Sequence, residues 1–176
     1  MLIDDVKNVM DKLKKNSPLI HCITNPISIN QCANAVLSVG AKPIMAEHPK
    51  EVCEITKTAK ALLLNLGNIT DVRMESMVLS SKTAREFNIP MVIDLVGIAC
   101  SELRRTFAIK IIEEYRPNVV KGNYSEIMAL YNSRYKSNGV DADKNLDLKS
   151  VTDVADSLAK KYNCTVMASG KTDIVA

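Results

Sequence analysis

The sequence predicts an α/β fold in which a mostly parallel central sheet carries helices on both faces. Amphipathic stretches of helical period alternate with short apolar runs along the chain, the signature of βαβ units. The apolar runs end in polar or turn-forming residues, as strands do where they feed crossover helices. With 176 residues, 47% hydrophobic and 24% charged, the chain is long enough to bury a sizeable core and reads as one domain over residues 1–176.

Each element has its own signal. From about Asp4 to Lys15, Val6, Val9, Met10 and Leu13 fall on one helical face. Leu19–Ile23 is a short buried strand. A helix from about Ser28 to Val39 is closed by Gly40, which suits a left-handed terminal position. Pro43–Met45 is a brief strand, and Pro49 opens a helix through about Thr58. Ala61–Leu66 reads as a buried strand, and Asp71–Phe87 is a long helix ended by Asn88 and Pro90. Met91–Leu95 is the next strand, Ser101 caps a helix to about Tyr115, Asn118–Lys121 is a strand, and Tyr124–Tyr131 is its helix. Asn132–Asp147 is polar and aperiodic, with Asn138-Gly139 as a turn signal, and reads as an exposed loop. Leu148–Tyr162 resumes a helix, and Thr165–Ala168 is a strand ending at Ser169-Gly170.

Composition narrows the function. A formal charge of +3 over 23 basic and 20 acidic residues gives no long basic tract, and five Tyr and two Phe make no stacking surface for single-stranded nucleic acid. Lys12-Leu13-Lys14-Lys15 reads as a solvated helix end. Asp4 and Asp5 stand where a signal peptide would be basic, and no membrane partner is expected. Cys22, Cys32, Cys53, Cys100 and Cys164 are odd in number and scattered, which fits a reducing compartment, the cytoplasm. With only His21 and His48 to add, no zinc-like spacing exists. Cys22 reads as a small buried hydrophobe and His21 as a buried, hydrogen-bonded residue.

Asn118-Val119-Val120-Lys121-Gly122-Asn123-Tyr124-Ser125-Glu126 carries the most chemistry. A Lys at a strand end reaches an anionic phosphate, and Asn123 and Glu126, three apart, turn towards one ligand. A hard cation such as Mg²⁺ accepts a carboxylate together with substrate phosphates. Asn-x-x-Glu is equally the pattern of a helix capping box. In an open parallel sheet, ligands bind beyond the carboxyl ends of the strands. Asn25, Met45, Gly67, Asp94, Lys121 and Ser169 all fall there. Gly67 is also an ordinary turn former, Asn25 a helix cap, and Met45 a core filler whose thioether equally suits a flat aromatic ring.

Five ordered segments together resemble the hydroxyethylthiazole kinase family: Ser17-Pro18-Leu19-Ile20-His21-Cys22-Ile23-Thr24-Asn25, Gly40-Ala41-Lys42-Pro43-Ile44-Met45, Leu64-Asn65-Leu66-Gly67, Asp94-Leu95-Val96-Gly97 and Lys121-Gly122-Asn123-Tyr124-Ser125-Glu126-Ile127-Met128-Ala129-Leu130. The resemblance implies a ribokinase-like three-layer fold and transfer of the γ-phosphate of ATP to the hydroxyl of 4-methyl-5-(2-hydroxyethyl)thiazole, feeding thiamine phosphate synthesis. It places Met45, Asn25 and Gly67 at the thiazole alcohol, Lys121, Asn123 and Ser169 at ATP, and Asp94 and Glu126 at Mg²⁺. It further implies a homotrimer with substrate sites between subunits. Asp94-Leu95-Val96-Gly97 stands where the family reads Asp-Pro-Val-Gly, so the turn after Asp94 is expected to be looser. The family's Gly-Thr-Gly-Cys segment, its anion hole and the site of its catalytic Cys, falls beyond Ala176. The fold is therefore expected to be C-terminally truncated, with no catalytic residue within the chain and little activity from the chain alone. The alternatives are a ribokinase-like kinase of another small alcohol, hydroxymethylpyrimidine or pyridoxal, and a non-catalytic ligand-binding remnant.

Overall fold

The short apolar runs become strands of one sheet: β1 (Leu19–Ile23), β2 (Lys42–Ile44), β3 (Ala61–Asn65), β4 (Met91–Asp94), β5 (Val119–Asn123) and β6 (Thr165–Ser169), joined by β7 (Ile174–Val175). The amphipathic stretches become α1 (Leu2–Asn16), α2 (Ile29–Ser38), α3 (Val52–Thr58), α4 (Asp71–Glu86), α5 (Glu102–Tyr115), α6 (Tyr124–Tyr131) and α7 (Leu148–Tyr162). The computed structural model describes residues 2–135 and 147–176, so most of the loop expected over Asn132–Asp147 lies outside the described residues.

The strand order is β2-β1-β3-β4-β5-β6-β7. β1 to β6 are parallel, and β7 alone runs antiparallel, against β6. The step from β1 to β2 runs one way along the sheet and every later crossover the other way. Right-handed connections therefore put α2 on one face and α3 to α7 on the opposite face. Lys14 of α1 lies against Gly40, whose φ of +90 ends the α2 segment as expected, so α1 shares the face of α2.

Alternation along the strands builds the core against α3 to α7. Leu62, Leu64, Ile93, Val120 and Val166 point into it from the sheet, and Met77, Phe107, Ile111, Ile127, Val151 and Leu158 meet them from the helices. Each such side chain contributes about 1.5–3 kcal/mol on burial. Caps fix where the helices start. The side chains of Thr70, Ser101, Asn123 and Asp147 accept from the backbone N–H of Arg73, Arg104, Glu126 and Ser150. Asn88, left-handed at φ 54, stops α4 where the sequence predicts.

Two expectations need correction, and two features go beyond the sequence reading. Pro49 opens a turn, not a helix: Glu51 and Val52 both donate to the His48 carbonyl, and α3 begins at Val52. β5 does not stop at Lys121 but runs on to Asn123. β7 was not anticipated, because two residues give no period to read. The apolar face of α1 is not core, since Val6 and Val9 are both 56% exposed and Met10 and Leu13 only half-buried.

Candidate functional site

Because β1 to β6 are parallel, their carboxyl ends share one edge of the sheet, and the order of strands orders the candidate residues along it. Met45 follows β2, Asn25 follows β1, and Gly67 follows β3. Asp94 ends β4, Lys121 and Asn123 lie on β5, and Ser169 ends β6. The strand order reverses between β1 and β3, which opens the crevice where such sheets take ligands.

A chain of polar contacts crosses that crevice. Asn25 Oδ1 accepts from the Ser28 N–H at 3.0 Å, and its amide Nδ2 donates to Asn65 Oδ1 at 3.2 Å. Asn65 Oδ1 also accepts from the Gly67 N–H at 2.8 Å, while Asn65 Nδ2 donates to Asp94 Oδ2 at 3.0 Å. Lys121 Nζ closes the row, 3.2 and 3.4 Å from the two oxygens of Asp94. Pairing register sets this up, because Asn65, Asp94 and Lys121 are direct neighbours on adjacent strands and so point to one face. Gly67 must be glycine for the row to close: a Cβ there would lie 2.7 Å from Asn25 Nδ2 and 2.8 Å from Asn65 Oδ1.

Glu126 forms the second cluster. Its Oε2 accepts from the Asn123 N–H at 2.7 Å, and Asn123 Oδ1 accepts from the Glu126 N–H at 2.9 Å, completing a capping box. Glu126 Oε1 reaches across to the Gly97 N–H at 2.8 Å, tying α6 to the turn after β4. That turn is not loosened by Leu95, contrary to expectation. The Leu95 side chain is fully buried and its N–H donates to the Lys121 carbonyl at 2.8 Å, a bond proline cannot make. Ser169 donates its hydroxyl to the Gly122 carbonyl at 3.3 Å, holding the end of β6 to β5.

Burial sets the electrostatics. It raises the carboxyl pKa of Asp94, with Lys121 and Asn65 opposing, and that of Glu126, with the Gly97 and Asn123 N–H groups opposing. The two carboxylates also repel each other, and Lys121 is the cation acting on both. Among the described residues no group of three or more His, Cys, Asp or Glu side chains could hold a metal by protein atoms alone. Asp94 and Glu126 nevertheless supply the hard, anionic oxygen donors that Mg²⁺ takes one or two at a time beside phosphates and water.

Met45 is half-buried and stands outside the polar row. Beneath it His21 is fully buried, with Nε2 2.9 Å from the Ala46 carbonyl and Nδ1 2.9 Å from Thr56 Oγ1. A carbonyl only accepts, so Nε2 carries the proton and donates, and burial pushes the ring pKa down. Cys22 is buried too, its thiol pushed up to about 11 by desolvation, so it is inert at neutral pH. Both residues match their sequence reading.

Asn65 was missed as an individual site residue, although it links the Asn25 and Asp94 halves of the row. Its signal was available: an amide at the carboxyl end of an otherwise apolar strand, level with Asp94. The pinning of the turn after β4 by Glu126 had no such signal, because Gly97 contributes only backbone.

The chain matches the sequence pattern of the hydroxyethylthiazole kinase family over residues 10–176. It is 48% identical to a protein named hydroxyethylthiazole kinase 2 from Clostridium botulinum (strain Hall) over 96% of its own length and 65% of the relative's. It is 44% identical to a hydroxyethylthiazole kinase of Finegoldia magna over 99% of its length and 65% of that relative's. The chain thus spans about two thirds of the length of these curated relatives. Among solved structures it superimposes on a hydroxyethylthiazole kinase protein from Pyrococcus horikoshii with a TM-score of 0.85 at 29% identity, covering 96% of this chain and 62% of that one. A Schistosoma mansoni adenosine kinase, TM-score 0.54 at 16% identity, shares the fold, that of the ribokinase-like kinases.

Proposed function

Because the chain belongs to the hydroxyethylthiazole kinase family, we propose that it serves ATP-dependent phosphorylation of the hydroxyl of 4-methyl-5-(2-hydroxyethyl)thiazole in thiamine biosynthesis or salvage. One observation carries the reading: the order of residues along the strand ends separates two half-sites. Met45, Asn25 and Gly67, on the β2-β1-β3 side, form an apolar and amide-lined place for the thiazole alcohol. Lys121, Asn123 and Ser169, on the β5-β6 side, form the place for ATP, with Asp94 of β4 and the Asn65–Asp94 contact between them.

Such transfer needs positioning and charge stabilisation more than covalent participation. Lys121 presents its ammonium to the phosphates while Asp94 fixes where that charge stands. The Asn25–Asn65–Asp94 chain keeps the two half-sites in register, so alcohol and phosphate are brought together at the β3–β4 boundary. Asp94 and Glu126 would hold Mg²⁺, which would supply positive charge to offset that of the phosphates. The same reading makes the protein a single ribokinase-like domain that acts in the cytoplasm and assembles as a homotrimer. Its unpaired cysteines support the first location and the exposed apolar residues of α1 the assembly. No helix among the described residues is long and apolar enough to cross a membrane.

The test is phosphoryl transfer from ATP by the intact native protein, with the thiazole alcohol, hydroxymethylpyrimidine and pyridoxal offered separately. Preferential phosphorylation of the thiazole alcohol is expected. Preference for either other alcohol would reassign the substrate, and binding without turnover would make the protein a ligand-binding relative.

A further inference from the structure

Met45 has no polar group of its own, so its place beside the crevice is decided by what holds the residues after it. Three side chains from other elements do so. His21 of β1 donates to the Ala46 carbonyl at 2.9 Å, and Ser76 of α4 donates its hydroxyl to the Glu47 carbonyl at 2.7 Å. Arg73, also of α4, donates from Nε to Glu47 Oε2 at 2.7 Å, with Nη2 at 3.5 Å from Oε1. The same guanidinium reaches the other side of the crevice, where Nη1 donates to the Asn68 carbonyl at 2.7 Å. Asn68 follows Gly67 and sits in the left-handed region at φ 50, so its carbonyl direction is set by a backbone that few residues adopt.

β2 and β3 flank β1, so the segments after Ile44 and after Asn65 are the two walls of the crevice at the end of β1. The Arg73 side chain is 9% exposed and bonds to both walls, while Glu47 on the rim is 44% exposed. A planar guanidinium makes these bonds at fixed angles, which an ammonium cannot. We propose that Arg73 is a positioning residue that sets the width of the thiazole crevice by tying Glu47, two residues after Met45, to Asn68, next to Gly67. The inference rests on the assignment of Met45 and Gly67 to the thiazole alcohol. Arg73 touches neither substrate and acts through the two walls.

Steady-state kinetics on the intact native protein and its Arg73→Lys, Glu47→Ala and Glu47→Gln variants test it, with thermal unfolding as the control for folding. Arg73→Lys and Glu47→Ala each raise KM for the thiazole alcohol about tenfold, the scale of one charged hydrogen bond lost. KM for ATP and kcat stay within about twofold, because the phosphate half-site is untouched. Glu47→Gln keeps an acceptor for Arg73 and restores most of the affinity. If Arg73→Lys does not fold, the Glu47 pair decides alone, since that side chain sits on the rim. Unchanged thiazole KM in folded Glu47→Ala, or equal rises in both KM values, overturns the inference. Failure of the unsubstituted protein to phosphorylate the thiazole alcohol overturns the functional reading, and the inference with it.

Discussion

Glu126 carries two demands at once, and their conflict is measurable. It is buried, which opposes its charge, yet its two oxygens accept the Gly97 and Asn123 N–H groups, which favour it. Burial dominates, so the folded pKa lies above its ordinary value of 4.5, and that of Asp94 above 3.8. A raised carboxyl pKa means that the folded state holds a proton the unfolded chain has released. The associated stability is present below the unfolded pKa and is lost as pH rises through the folded one, with a slope of up to about 1.4 kcal/mol per pH unit for each group. Urea unfolding at stepped pH should show this decline, and Glu126→Gln should remove its share and leave that of Asp94. An undiminished slope in the variant would assign the effect elsewhere. Of this residue's two sequence readings, the capping box is what the structure displays, and the carboxylate's spare lone pairs leave ligand binding compatible with it.

Elements were legible where period and punctuation agreed. The buried runs at Leu19–Ile23, Ala61–Leu66 and Met91–Leu95 became parallel strands, each within one residue of the expected end, and Ser101 and Asn88 marked helix ends through side-chain and left-handed backbone chemistry that is local to the sequence. What escaped depends on partners distant in the chain. β7 exists only because β6 offers an edge, Asn65 matters only because Asp94 lies level with it, and Arg73 has a role only across the walls of a crevice. The turn after β4 is the sharpest case. A family pattern with proline suggests that Leu95 relaxes it, whereas the leucine side chain joins the core and its N–H extends the bonding between β4 and β5 by one residue. Leu95→Pro removes both and should lower stability by about 3 kcal/mol, from a cavity plus a lost hydrogen bond. A denaturation midpoint equal to that of the unsubstituted chain would show that the turn tolerates either residue.

At the scale of the molecule the two faces differ. α3 to α7 share a continuous core with the sheet, whereas α1 shows Ile3, Val6 and Val9 to solvent. Such a stripe contributes little to the fold of one subunit and is available for association. Val6→Ser with Val9→Ser should change unfolding of the dilute protein by no more than about 0.5 kcal/mol, the scale of surface substitutions, while reducing the mass seen by light scattering. A large drop in stability with unchanged mass would return α1 to the core. The β2 edge bears on the same question. Lys42 donates inward to Pro18, so the next residue, Pro43, has its nitrogen turned outward, where it offers an incoming strand nothing to bond. Its three residues, headed by the exposed Lys42, give another chain too little ladder to template on. A short edge with one of its few outward donors missing gives a crowded solution little on which to nucleate cross-β fibrils from that side.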